Sequence, residues 1–138
     1  MPTFLVHLFF SPIYRNIRYW SAFILYLLIV LLGAIPGVRA EAGEFASGLV
    51  LHSLAYSTIA YLLYTGARSQ SFVTALHAFL WVVVMGAADE YIQSFFPYRN
   101  GTVRDWIVDM IAALVTLSIL LGTWPALRKM AYSRRSDS

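Results

Sequence analysis

The sequence contains no cysteine, which removes disulfides, thiol nucleophiles and thiolate metal sites from consideration. Charge is scarce as well: 10 basic and 7 acidic residues make up 12% of a 138-residue chain. So little charge cannot cover the surface of a small soluble domain. A net charge of +3 is too small to nominate nucleic acid as a partner. No internal repeat, zinc-binding spacing or glycine-rich phosphate loop occurs. The chain is instead rich in apolar residues, at 59% hydrophobic with a mean hydropathy of +0.66, the balance of an integral membrane protein.

The apolar residues fall into runs of membrane-crossing length. Residues 19–38 predict a first span, anchored by Tyr19 and Trp20 and ended by Pro36 and Gly37. Residues 46–65 predict a second, interrupted by His52 and several hydroxyls, and a third runs from Ser71 to Ala88. Asp105 opens a fourth that ends near Leu121. The expected fold is all-α, a polytopic membrane protein with four transmembrane helices. Residues 1–18 read as an interfacial N-terminal segment rather than a cleaved signal, residues 19–125 as the membrane domain, and residues 126–138 as a basic cytoplasmic tail with a disordered end. Four alternating spans would gather Arg15, Arg18, Arg68, Arg128, Lys129, Arg134 and Arg135 on one side and Arg39, Arg99 and Arg104 on the other. The positive-inside rule then assigns both termini and Arg68 to the cytoplasm.

The sequence spends its few charges unevenly. Between two apolar runs stands 87-AADEYIQSFFPYRNGTVRDWIVDM-110, with four carboxylates and two arginines. Gln93 follows Glu90 by three residues, and Asp109 follows Asp105 by four, so each pair shares a helix face. Asp105 suits a helix start, where it can act as a cap or complement the dipole. Asp109 falls about 6 Å deeper by the helical rise, where an ionisable group is costly and points to function or to a buried pair. His52 falls about 9 Å into the second run from its outer end, at a matching depth, with Tyr56 one turn further on the same face. Pro97 and Asn100-Gly101 mark a turn that carries Arg99 beside the next helix start, with Arg104 just inside it. Arginines and free amides there are natural ligands for phosphate or carboxylate, and they equally suit ion pairs with Glu90 and Asp105. His7 lies among interfacial aromatics, and His77 falls about 20 Å from Glu90, outside this group.

Glu90, Gln93, Phe96, Pro97, Arg99, Thr102 and Asp105, with His52 and Tyr56 in an earlier helix, resemble the motif of the VanZ-like family, named for a glycopeptide-resistance accessory protein associated with teicoplanin. Tyr98 stands where that motif has a turn glycine, Asp109 where it has asparagine, and Ala112 where it has a helix glycine. The resemblance spans roughly residues 19–125 and implies a small polytopic protein of the bacterial envelope, in the cytoplasmic membrane.

The candidate catalytic groups are Glu90, His52, Asp105 and Asp109, and the candidate substrate-binding groups are Gln93, Arg99, Arg104, Tyr56 and Thr102. Neither a metal nor another cofactor is inferred from these residues. The expected partner is a membrane lipid or lipid-linked cell-wall precursor of anionic character, recognised or modified at an outward-facing polar site. A non-enzymatic interaction module and a small proton-coupled transporter are the alternatives, and a homo-oligomer is compatible with each. Whether the chain is an enzyme is left open by its residues.

Overall fold

Hydroxyl residues placed just before apolar runs predict helix starts, because their oxygens can accept otherwise unpaired backbone N–H groups. The computed structural model, which describes residues 8–35, 37–38, 47–98 and 102–136, bears this out at three helices. After a 3-10 turn at Pro12–Tyr14, the helices are α1 (Arg15–Gly33), α2 (Gly48–Gly66), α3 (Phe72–Gln93) and α4 (Val103–Ser136). The Ser47 hydroxyl accepts from Val50 N–H at the start of α2, and the Ser71 hydroxyl from Thr74 N–H at the start of α3. Thr102 does the same for Asp105 N–H at the start of α4, 3.2 Å away.

Among the described residues the fold is all-α, but three rather than four helical stretches are long and apolar enough to cross a membrane: Pro12–Gly33, Phe72–Gln93 and Val103–Lys129. The expected second span, α2, is not among them. His52, Ser53, Ser57, Thr58 and Thr65 and a run of tyrosines dilute its apolar content. Packing accounts for that composition. α2 lies along both α1 and α4, while α3 packs on α4, and α2 buries Tyr56, Ile59, Ala60, Leu63, Tyr64 and Thr65. A helix enclosed by its neighbours can carry polar groups that a lipid-facing helix cannot.

The outer faces of the three apolar helices show the reverse pattern. Ile24 and Leu31 on α1, Val73 and Val84 on α3, and Ile111, Leu114 and Ile119 on α4 are all exposed. Such contiguous exposed apolar surface is matched to lipid, not water. Small residues let the helices approach: Ala22, Ala60, Ala78 and Ala113 are buried at the contacts. A Cβ on Gly66 would collide with the backbone of Tyr19, and one on Gly86 would meet Trp106 Cδ1 at 2.9 Å.

The helices alternate in direction. Tyr98 Oη donates to Ala34 O beyond the end of α1, at the end of the bundle where α2 and α4 begin. At the opposite end, Arg18 near the start of α1 donates to Thr65 O near the end of α2, and Trp124 of α4 stacks on Phe10 at 5.3 Å. α1 begins at Arg15, so Arg15 and Arg18 lie in its first turn, inside the stretch 1–18 expected to be interfacial. α4 passes Leu121, carries Pro125 inside it, and continues to Ser136, so the tail expected beyond residue 125 is helical through that residue.

Candidate functional site

Because α2 and α4 start at the same end of the bundle where α3 finishes, their polar residues are brought together. His52 Nδ1 lies 3.1 Å from Asp109 Oδ1, and a ring N–H donating to the carboxylate is the arrangement that satisfies both. Tyr56 Oη donates to Asp89 Oδ2 at 3.4 Å, and its ring stacks on that of His52 with an interplanar angle of 11°. Glu90 Oε2 accepts from Thr102 N–H at 2.6 Å, closing the turn between α3 and α4. Trp106 Nε1 donates to Val83 O, fixing α4 against α3 beside Gly86 and the second Asp109 oxygen.

The cluster is nearly dry and incompletely satisfied. Asp109 is 0% exposed and Asp89 and Gln93 are each 1% exposed. Asp89 Oδ1, Glu90 Oε1, Gln93 Nε2 and Asp109 Oδ2 have no hydrogen-bond partner among the described residues. Buried carboxylate oxygens without partners are costly, and a cation, proton or donor ligand relieves that cost.

His52, Glu90 and Asp109 each offer one ligand atom, and the three atoms lie within 4.8 Å of one another. One imidazole with two carboxylates is a donor set suited to a divalent cation. A cavity of about 310 Å³ between α1 and α2 leads to this cluster. Ile29, Leu32 and Leu51 form part of its apolar wall, and His52, Tyr56 and Asp89 meet it at the polar end.

Of the residues expected at the site, the structure gathers His52, Tyr56, Glu90, Thr102 and Asp109 into one bonded cluster and buries Gln93 one turn beyond Glu90. Asp105 stands at the first turn of α4, half-buried, with its backbone capped by Thr102. Arg104 is exposed at the same turn, and Arg99 lies outside the described residues. Asp89 was not among the expected site residues, yet it is buried and bonded to Tyr56. The signal was present in the adjacent acids at 89 and 90: successive helical residues point about 100° apart, so two such acids offer a carboxylate to two directions. His77 lines a cleft with Arg68 and Thr74 at the opposite end of the bundle, apart from the site. No known protein family, curated protein or solved structure matches the chain.

Proposed function

We propose that this chain is an integral membrane protein of the VanZ-like kind in the bacterial cytoplasmic membrane. Its three-helix polar site holds the phosphate-bearing headgroup of a lipid-linked envelope molecule through a divalent cation. The observation that carries this reading is the apolar cavity between α1 and α2 that ends at His52, Tyr56 and Asp89, beside three groups able to share one cation. An acyl or polyprenyl chain suits the apolar wall, whereas a bare phosphate would be repelled by Asp89, Glu90 and Asp109. A divalent cation held by His52, Glu90 and Asp109 would offset the charge of those two carboxylates and offer open coordination positions to phosphate oxygens. Tyr56, a protonated phenol at the cavity, supplies a hydrogen-bond donor.

Glycopeptide resistance is not part of the proposal. The orientation proposed turns the site outward and the end bearing Arg15, Arg18, Arg68 and Arg128 toward the cytoplasm. The start of α1 and the later turns of α4 lie at that same end.

Binding of labelled undecaprenyl phosphate to the purified protein tests the reading. Saturable binding that requires Mg2+ or Mn2+, disappears with a chelator, and weakens at least about tenfold in Glu90→Gln and His52→Gln is the expected result. Equal binding with chelator and in both variants would overturn it.

A further inference from the structure

At the end of the bundle opposite the polar site, a cleft of about 60 Å³ is bordered by Arg15, Arg18, Arg68 and Arg128 together with Gln70 and Trp124. Chain direction explains the convergence. Arg15 and Arg18 open α1, Arg68 sits in the turn after α2, and Arg128 lies late in α4. Like charges held this close repel one another unless something negative stands among them. No described residue provides it: Asp89, Glu90, Asp105 and Asp109 belong to the far end, and the sole ion pair among the described residues joins His52 to Asp109.

Arg18 shows that the cleft is built rather than incidental. Its side chain is 4% exposed. It is held by three carbonyls, Nη1 donating to Leu8 O at 2.7 Å and Ser11 O at 3.0 Å, and Nη2 to Thr65 O at 3.0 Å. Those bonds fix the guanidinium plane, yet Nε–H has no partner. A buried charged group with an unused donor, lining a cleft among three further guanidiniums, is an acceptor site lacking its acceptor. Carbonyl oxygens orient the charge without neutralising it.

We infer that this cleft binds a phosphate group, seated among the four arginines that border it. Phosphate oxygens match the forked N–H geometry of guanidinium and carry the compensating charge. Gln70 Nε2 donates one N–H to Ala67 O, and its second N–H is a further donor suited to a phosphate oxygen. The phosphate can be that of an acidic phospholipid headgroup or a free ion, and both present the same oxygens to the cleft.

Thermal unfolding of the full chain, in neutral detergent and in nanodiscs, tests this. Sodium phosphate raises the melting temperature saturably where sodium chloride of equal ionic strength does not, or phosphatidylglycerol replacing phosphatidylcholine in the nanodisc does so. A shift with phosphatidylglycerol alone identifies a lipid headgroup as the source, and a shift with both shows that phosphate alone suffices. In Arg68→Gln and Arg128→Gln, at exposed positions that leave the buried Arg18 in place, the midpoint concentration moves about tenfold higher for each change. His52→Gln retains the shift, because it alters only the opposite end. No shift with either anion, an equal shift with chloride, a shift unchanged in the double arginine variant, or its loss in His52→Gln would each overturn the inference.

Discussion

Asp109 and His52 illustrate what one buried pair can do in an apolar bundle. Asp109 has no exposed surface, so its charge depends on the imidazole and on whatever meets its second oxygen. Asp109→Ala should cost about 3 kcal/mol in chemical unfolding, since it strands the histidine. The pairing was legible in the sequence because equal depths along two helices follow from the rise per residue alone. The burial of Asp89 was not, since sequence gives the angle between neighbouring acids but not which of them faces inward. The exposure of Arg104 escaped for the same reason.

The helices owe their contacts to small residues at two crossings. Gly66 faces the backbone of Tyr19, and Gly86 faces Trp106 and Asp109. Gly66→Ala should destabilise the bundle by about 1–3 kcal/mol, because a backbone must move. Gly86→Ala should also displace Trp106 and Asp109, so that cation affinity drops more than stability does; comparing both quantities in the two variants checks the distinction. The start of α4 was expected at Asp105, whereas Thr102 caps the helix and it begins at Val103; the start of α3 after Ser71 was readable. The length of α4 was not, because Pro125 reads as a terminator although the helix carries it. The role of α2 was misjudged from its length: its tyrosines and hydroxyls suit a helix packed between α1 and α4 rather than a lipid-facing span.

Among the described residues, charge is unevenly divided: Asp89, Glu90, Asp105 and Asp109 gather at one end with His52, and Arg15, Arg18, Arg68 and Arg128 at the other, with Arg104 the exception beside the carboxylates. The absence of native cysteine makes this measurable with single-cysteine variants. Ser94→Cys and Ser69→Cys, both at exposed positions in opposite turns, should react with an impermeant thiol reagent from opposite faces of the membrane, Ser94→Cys from outside. The segregation was legible from the spacing of basic residues, whereas the number of spans was not, since composition does not reveal which helix its neighbours enclose. The central claim, that side chains from three helices form one cation site, is met most directly by Mn2+ titration of the purified protein monitored by electron paramagnetic resonance. The account predicts one saturable Mn2+ per chain, lost in His52→Gln, Glu90→Gln and Asp109→Asn while the helical circular dichroism is retained. Absence of Mn2+ binding to the folded wild type, or binding indifferent to all three substitutions, would contradict it.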